Sequence, residues 1–260
     1  MALKPNTFLR TAQQRLAPWI VPLALLVLWQ ACAQWGWLSN RILPAPLDVA
    51  KSAIELARSG ELWTHVAMST WRAAVGFVIG GSLGLLTGTF RTAETLLDTT
   101  LQMVRNIPVL ALIPLVILWF GIDESAKLFL VSLGVFFPIY LNTYHGIRSV
   151  DPALVEMARS YGLSRAQLYR EVILPGALPQ ILVGVRFSLG LMWVTLIVAE
   201  TVSAQAGIGY MTMNAREFLQ TDVVLLGILL YALLGKLADW LSRGLERYWL
   251  RWHPGYQAAG

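Results

Sequence analysis

Long uncharged stretches alternate along this chain with short charged segments. A membrane-crossing α-helix needs roughly 17–25 residues. Three stretches without Asp, Glu, Lys or Arg approach or reach this length, namely Leu16–Asn40, Ala73–Phe90 and Leu128–Ile147. A fourth stretch, Asn106–Ile122, is near the lower limit and contains two prolines. Prolines are tolerated in a span where neighbouring helices or water satisfy the freed carbonyls. The fourth stretch is therefore expected to face protein or a pathway rather than lipid alone.

Two further apolar stretches are shorter. Only 13 uncharged residues separate Arg186 from Glu200, and another 13 separate Asp222 from Lys236. Each is too short to cross about 30 Å of hydrocarbon at 1.5 Å per residue. Each span must therefore place a charge at an interface or against protein, and Arg186 and Lys236 can extend to the interface. The pattern predicts an all-α, polytopic membrane protein with about six transmembrane helices.

A hydrophilic insert between the fourth and fifth spans predicts two short helices. Asp151 is a suitable N-cap for the first helix, and Pro152 suits its first position, where a missing N–H costs nothing. Gly162 fits the left-handed residue that ends such a helix. One apolar face follows the i, i+3, i+4, i+7 spacing and comprises Leu154, Met157, Ala158 and Tyr161.

The second short helix has its own start and stop signals. Ser164 followed by Gln167 is typical of a capping box. Pro175 is expected to end the helix, because it cannot donate to the helical ladder and restricts the residue before it. The insert is thus predicted to be a compact helix-turn-helix unit.

Two segments between spans also carry helical patterns. Pro44 to Gly60 predicts a short amphipathic helix that lies on the membrane interface, with Leu47, Ala50, Ile54 and Ala57 on one face. Within Thr201–Asp222, the run Gly207-Ile-Gly209 introduces a helix-like stretch through Tyr210, Asn214 and Phe218. This second segment is either a connector or a cap over a pathway.

Four glycines form a stripe on the second span. They recur at i, i+4, i+8 and i+12, as Gly76, Gly80, Gly84 and Gly88. Small residues allow the close backbone approach that supplies packing energy between helices in lipid. The stripe is predicted to pack against another helix, either within the subunit or in a second copy.

Composition and charge agree with a membrane protein. The 260 residues are 56% hydrophobic and only 13% charged, with a mean hydropathy of +0.58, which excludes an ordinary soluble domain. With the N-terminus inside, fourteen Lys and Arg residues fall on the inner side: Lys4, Arg10, Arg15, Arg91, Arg105, Arg148, Arg159, Arg165, Arg170, Arg186, Lys236, Arg243, Arg247 and Arg251. Five fall outside, namely Arg41, Lys51, Arg58, Lys127 and Arg216, and Arg72 lies near a boundary. The positive-inside rule therefore predicts that both termini and the 156–175 insert are cytosolic. The net charge of +5 needs no nucleic acid to explain it.

The N-terminus has a second interpretation. Basic residues ahead of an apolar run, followed by Ala31-Cys-Ala33, resemble a signal peptide with its cleavage site. The apolar run continues through Trp35 and Trp37, aromatics suited to a membrane interface, which favours a retained first span. Cys32 is the only cysteine, so the sequence predicts no disulfide within the chain and no cysteine-based metal cluster.

Several polar residues inside spans are candidates for a pathway. They are Tyr140, Asn142, Thr143 and His145 in the fourth span, and Trp193 and Thr195 in the fifth. Polar groups in spans tend to face the protein interior, where they either line a pathway or join helices by hydrogen bonds. Tyr140 and Asn142 lie on nearly opposite sides of a helix, so both cannot line one narrow channel.

Signals for catalysis are missing from the sequence. The pattern G-x-x-x-x-G-K-[ST] is absent, the three histidines have no ligand spacing, and no nucleophile stands in a G-x-S-x-G turn. An ion-driven secondary transporter would be expected to show paired intramembrane carboxylates or inverted repeats. A membrane enzyme would need a clustered acid, base or metal set. We therefore expect no catalytic residue, metal or cofactor in this chain.

The insert resembles a known family. Glu156, Ala158, Gly162 and Leu174-Pro175 resemble the "EAA" loop of the permease subunits of ABC importers, with Met157 in place of the second alanine. The runs Arg105–Pro108, Leu112–Gly121 and Met213–Phe218 resemble the branch that imports aliphatic sulfonates, taurine or nitrate. About residues 15–255 are similar to the aliphatic-sulfonate members, while taurine, nitrate or a thiamine-precursor pyrimidine are competing substrates.

This resemblance implies an organisation for the whole chain. A cytosolic segment (1–15) would precede a first transmembrane helix (16–38), a periplasmic segment (39–66), a type I importer core (67–245) and a cytosolic tail (246–260). A coupling loop at 148–177 would meet ATPase subunits through Glu156, Ala158, Arg159, Gly162, Leu163, Ser164, Leu174 and Pro175. The implied partners are two ATPase subunits that bind ATP and Mg, a second permease copy, and a periplasmic binding protein that meets the 201–222 loop. The implied location is the bacterial inner membrane.

Overall fold

The computed structural model describes residues 7–40, 42–90 and 99–253, which are helical apart from short connections, with no strand among them. The helices are α1 (Thr7–Gln34), α2 (Pro46–Ser59), α3 (Glu61–Thr89), α4 (Ile113–Phe120), α5 (Glu124–Arg148), α6 (Pro152–Ser160), α7 (Arg165–Leu168), α8 (Leu174–Ser203), α9 (Ile208–Glu217) and α10 (Thr221–Trp249). A 3₁₀ turn, Val109–Leu112, precedes α4, and a π-helical turn, Tyr169–Ile173, joins α7 to α8. Parts of the predicted segments 1–15 and 246–260, together with Lys4, Arg41 and Arg91, lie outside the described residues.

Four of the described helical stretches are long and apolar enough to cross a membrane. They are Glu61–Thr89, Glu124–Arg148, Arg165–Val202 and Thr221–Trp249. Two shorter apolar stretches, Ile20–Gln34 and Val109–Phe120, fall within the first and third predicted spans. The predicted all-α membrane protein is confirmed, and the count of six spans comprises these four long helices and the two shorter ones.

The glycine stripe of α3 packs against α5 of the same chain. A Cβ atom at Gly84 would lie 2.8 Å from the carbonyl oxygen of Phe136, and one at Gly88 would lie 2.8 Å from Cβ of Thr143. Cβ atoms at Gly76 and Gly80 would meet Val131 and Ser132. Since real Cβ contacts do not approach so closely, the backbones can only come together because these positions lack side chains. The glycine stripe therefore packs against a helix of the same subunit.

One compact unit contains residues 1–62 and 212–228. The predicted amphipathic helix is present as α2, and it ends at Gly60 in the left-handed conformation, with φ +88°. The Leu47 amide donates to Oε1 of Gln30 in α1 over 3.1 Å, and the Ser52 hydroxyl donates to the Asp222 carboxylate. Val49 and Ser52 are buried, whereas Leu47 and Ile54 of the predicted apolar face are more than half exposed.

The second unit contains residues 63–211 and 229–260. Its apolar core includes Ile113 and Val116 of α4, Leu130 of α5 and Ala199 of α8. The segment after α8 contains the helix that the sequence predicted, since Tyr210 and Asn214 lie in α9, while Phe218 follows its last residue.

Candidate functional site

The insert after α5 begins as its sequence predicts. Oδ1 of Asp151 accepts a hydrogen bond from the Ala153 amide over 2.8 Å, and Pro152 opens α6. The Ser164 amide donates to Oε1 of Gln167 over 2.9 Å, while the Gln167 amide donates to Oγ of Ser164 over 3.4 Å. Both halves of the capping box are therefore present, and both short helices have a defined start.

The apolar face of α6 divides between the interior and the surface. Ala158 is only 5% exposed, whereas Leu154 is 47%, Met157 52% and Tyr161 79% exposed. The charged side chains of Glu156 and Arg159 are also exposed. Leu154 and Met157 of α6, with Tyr161 directly after it, thus form a surface patch with flanking charges, which is typical of a protein contact.

The turn between α6 and α7 requires a glycine because of its backbone conformation and not because a side chain would lack space. Gly162 has φ +80°, and a Cβ atom added there would meet nothing within 4 Å. Its amide donates to the Arg159 carbonyl over 2.9 Å, and the Leu163 amide donates to the Ala158 carbonyl over 3.2 Å. These bonds close the end of α6, so the left-handed residue fixes the direction in which α7 leaves.

The prediction that Pro175 ends the second helix is wrong. The helical path continues from Arg165 to Val202, and Pro175 lies in the first turn of α8. Immediately before it, the Leu174 amide donates to the Tyr169 carbonyl across a π-helical turn. A wider turn provides room for a residue that lacks an N–H and would crowd the preceding turn. Leu174 and Pro175 therefore join the short α7 to a membrane-spanning helix without a break.

The insert is joined to the spans on both sides and to α3. The Tyr169 hydroxyl donates to Oγ1 of Thr89, at the end of α3, over 3.4 Å. A Cβ atom at Gly176 would lie 3.1 Å from Val150, and one at Gly146 would lie 3.0 Å from the Ala177 carbonyl. Close packing at these glycines ties the insert to the ends of α5 and α8.

The polar candidates in the spans are mostly engaged inside the protein. Nε2 of Gln180 in α8 donates to Oδ1 of Asn142 in α5 over 2.9 Å, and Nδ2 of Asn142 donates to the Pro138 carbonyl over 2.8 Å. Tyr140 is 1% exposed and stacks on Phe136 with ring centroids 5.8 Å apart. Asn142 therefore joins two helices, and Tyr140 lies in the interior.

Of the remaining candidates, Thr143, Trp193 and Thr195 are buried, whereas His145 is exposed. The Thr195 hydroxyl, 2% exposed, donates to the Leu191 carbonyl within α8 over 3.0 Å. Trp193 is 8% exposed and meets Tyr231 of α10 at a centroid distance of 6.2 Å. The buried Trp193 Nε1 and Thr143 Oγ1 have no hydrogen-bond partner among the described residues, and His145 packs edge-on against Tyr144.

A buried charge cluster, which the sequence did not predict, joins α3, α5 and α8. Nη1 of Arg72 lies 2.8 Å from Oε1 of Glu200, and Nε of Arg72 lies 2.7 Å from Oε2 of Glu124. Nζ of Lys127 lies 3.3 Å from Oε1 of Glu124. Two cations thus face two carboxylates, which compensates the charges where Arg72 and Glu200 are each about 1% exposed.

The segment that leads into α9 is bound to this cluster. Arg72 donates to the Ala206 carbonyl, and the Gly209 amide donates to Oε2 of Glu200 over 2.9 Å. Ser69 connects the two, since its hydroxyl lies 2.8 Å from both Glu200 oxygens and accepts from the Ile208 amide. The Tyr231 hydroxyl completes the shell of Glu200 at 3.0 Å. Residues 206–209 are therefore held by side chains of two helices, α3 and α8.

A second ionic group lies between α8 and α10. Nε of Arg186 is 3.0 Å from Oδ1 of Asp239, and Nε of Arg243 is 3.0 Å from Oδ2 of Asp239. Lys236 lies 3.7 Å from the same carboxylate. Of the two alternatives for Arg186, an interface or a contact with protein, the structure shows the protein contact.

Comparisons with known proteins give the class of this chain. Residues 76–250 match the family described as the binding-protein-dependent transport system inner membrane component. The chain therefore belongs to this family of membrane permease subunits. The fold agrees, because the chain is similar to a chain of an amino acid ABC transporter crystallised with histidines, with a TM-score of 0.53 over 74% of this chain and 97% of that one, at 19% identity.

The curated relatives are much closer in sequence. The chain is 65% identical over 246 residues to the permease protein SsuC of Escherichia coli (strain K12), whose assignment to aliphatic sulfonates transport is provisional; the match covers 93% of this chain and 94% of that protein. The SsuC permease of Bacillus subtilis (strain 168), with the same provisional assignment, is 45% identical, over 92% and 88% of the two chains. The taurine transport permease TauC of Escherichia coli (strain K12) is 37% identical, over 90% and 88%.

Proposed function

We propose that this chain is the membrane-spanning subunit of an ATP-driven importer of aliphatic sulfonates. The substrate assignment rests on the 65% identity to one SsuC protein across 93% of this chain, compared with 37% identity to a taurine permease. A difference of this size over nearly the whole length favours alkanesulfonates over taurine, the chemically nearest alternative. Nitrate and a thiamine-precursor pyrimidine are further alternatives within the same class.

The insert 148–177 is proposed as the contact for ATPase subunits. Its exposed patch of Leu154, Met157 and Tyr161 would enter a groove of the partner, and Glu156 and Arg159 would orient it. ATP and Mg would be bound and ATP hydrolysed by two partner subunits. Closure of those subunits would displace the insert, and the close contacts at Gly146 and Gly176 would pass the motion to α5 and α8.

The rest of the assembly is proposed by analogy with the family. Two copies of this chain would form the membrane part of one transporter, and a periplasmic binding protein would deliver the sulfonate near residues 201–222. With both termini in the cytosol, the insert lies on the side where ATP is present, as the distribution of Lys and Arg predicts.

The substrate is tested with the complete transporter in proteoliposomes. Alkanesulfonates, delivered with the binding protein, should stimulate ATP hydrolysis, whereas taurine and nitrate should stimulate it less. If taurine or nitrate stimulated ATP hydrolysis and alkanesulfonates did not, the assignment of alkanesulfonates as the substrate would be rejected. Uptake that persists without the ATPase subunits would instead indicate a secondary transporter.

The coupling role is tested separately with two variants. Glu156→Lys reverses an exposed charge of the patch, and Gly162→Pro removes the left-handed turn. Both should uncouple ATP hydrolysis from uptake, so that uptake is lost while the protein remains in the membrane. Glu55→Lys, a charge reversal at an exposed position of α2, is the matched control. Normal uptake by either insert variant at normal expression would reject the coupling role.

A further inference from the structure

A cavity of about 320 Å³ lies between the 3₁₀ turn, α5 and α8. Its walls are largely apolar and include Phe137 and Leu141 from α5, with Phe187 and Val194 from α8. Arg105 lines one part, and among the described residues that line the cavity it alone carries a charge. The cavity thus presents one cationic group beside a predominantly apolar lining.

The charge of Arg105 is not compensated within the described part of the chain. Its side chain is exposed, and it forms no ion pair or hydrogen bond with any described residue. Arg186, which lines another cavity between α8 and α10, is instead paired with Asp239 at 3.0 Å. The cavity beside Ile79 and Phe129 contains no charged residue in its lining. The cavity at Arg105 therefore combines an uncompensated cation with apolar walls.

Gly134 and Thr195 line another part of this cavity, where they pack closely against each other and add no charge. Gly134 lines it, and a Cβ atom added there would lie 2.8 Å from Oγ1 of Thr195. The Thr195 hydroxyl donates its proton to the Leu191 carbonyl, so it has no donor left for an anion. The lining that runs along α5 from Leu133 to Leu141 extends roughly 12 Å at 1.5 Å per residue. This length accommodates an anionic head group and a chain of several carbons.

We propose that this cavity is a binding site for the transported anion within the membrane part, and that it selects an alkyl chain attached to an anionic head. The inference rests on the proposed function for the identity of that anion. Arg105 binds the sulfonate oxygens, for which a guanidinium has fixed, matching donors. Phe137, Leu141, Phe187 and Val194 enclose the alkyl chain, which gains free energy for each methylene removed from water. Arg105 is thus a specificity-determining residue.

The site can be probed by chemistry because Cys32 is the only cysteine. In a Cys32→Ser background, a Val194→Cys substitution places a thiol in the cavity lining of the complete, reconstituted transporter. The thiol is reacted in turn with the anionic reagent 2-sulfonatoethyl methanethiosulfonate and with its cationic trimethylammonium counterpart. The ratio of the two rates reports the electrostatic potential in the cavity independently of ATP hydrolysis.

Arg105→Gln should lower the anion-to-cation rate ratio by about tenfold, the effect of roughly 1.4 kcal/mol of lost attraction, and Arg105→Lys should preserve most of it. Hexanesulfonate should slow the labelling, whereas inorganic sulfate, which lacks a chain, should protect much less. Ile79→Cys, in the uncharged cavity beside α3, is the matched control, and its ratio should not respond to Arg105. Leu191→Cys provides a second reporter in the same cavity if Val194→Cys does not assemble.

Any one of three results would contradict the proposed binding site. They are a ratio that Arg105→Gln leaves unchanged, equal protection by sulfate and hexanesulfonate, and thiols that react with neither reagent. If alkanesulfonates still stimulate ATP hydrolysis in such a case, the proposed function stands and only the cavity is rejected. If they do not stimulate it in the unaltered transporter, the proposed function itself fails.

Discussion

Arg72 and Glu200 form a buried ion pair between α3 and α8, with 2.8 Å between Nη1 and Oε1 and about 1% of each side chain exposed. Removing such charges from water is costly, and their attraction offsets this only when the remaining polar atoms are hydrogen-bonded. Here Glu200 also accepts from Ser69, Tyr231 and the Gly209 amide. The pair is therefore one part of a network that holds residues 206–209.

Loss of Arg72 from this pair should be strongly destabilising. Arg72→Leu leaves the buried Glu200 carboxylate without its cation, so we expect a loss of about 3–5 kcal/mol, measured by thermal unfolding of the detergent-solubilised protein. Glu200→Leu should cost less, because Arg72 keeps its pair with Glu124 at 2.7 Å. The double variant should recover part of this loss. Lys51→Gln, which removes an exposed pair with Asp48 at 3.1 Å, should change stability by about 1 kcal/mol or less. Single variants as mild as Lys51→Gln would contradict the assignment.

Two glycine substitutions in the spans should have opposite signs. Gly84→Ala would put a Cβ atom 2.8 Å from the Phe136 carbonyl, a backbone atom that cannot move aside easily, so α3 and α5 must separate. Gly190→Ala, in α8, meets nothing within 4 Å and should be neutral or stabilise by roughly 0.5–1 kcal/mol, the helical advantage of alanine. The same unfolding measurement compares them. Equal effects would mean that the α3 glycines are not needed for close packing.

At Gly162, a substitution is opposed by backbone strain and not by lack of space for a side chain. Gly162→Ala should cost roughly 1–2 kcal/mol because φ is +80°, although the site has ample space. Gly162→Asn should cost less, since asparagine adopts the left-handed region more readily. Substrate-stimulated ATP hydrolysis should fall in the same order. If alanine and asparagine behave alike, the turn does not depend on its left-handed residue.

The contact between Asn142 and Gln180 predicts a measurable coupling energy. A double-mutant cycle with Asn142→Ala and Gln180→Ala should give about 0.6 kcal/mol, with an upper limit of about 1.7 kcal/mol for hydrogen bonds between membrane helices. Uptake by the single variants should keep its order of preference among alkanesulfonates of different length. A changed preference without coupling would instead indicate that Asn142 lines the pathway.

Local signals were the part of the structure that the sequence predicted best. The caps at Asp151 and Ser164 and the left-handed Gly162 depend on residues within four positions of one another, so they can be derived from spacing. Spacing does not determine the partner of the glycine stripe, because it defines one face of the helix and not what covers that face. The prediction for Pro175 is wrong because the rule that proline ends a helix takes no account of the π-helical turn before it.

The buried cluster could not be derived in the same way. The short apolar stretch between Arg186 and Glu200 indicates only that this span places a charge at an interface or against protein, and Arg72 lies at the boundary of another stretch. Nothing in the spacing brings together residues 128 positions apart, or adds Tyr231 and the Gly209 amide to the same carboxylate. Only the packing of three helices does so.

The π-helical turn Tyr169–Ile173 determines the angular phase of the insert relative to the long helix that follows it. It has the effect of one additional residue in an otherwise α-helical path. Deleting one residue there would restore the α-helical repeat and rotate everything before it by about 100° around the axis of α8. Leu154, Met157 and Tyr161 would then point in another direction although their own helix is unchanged. The orientation of this contact surface is therefore encoded by residue count, outside the surface itself.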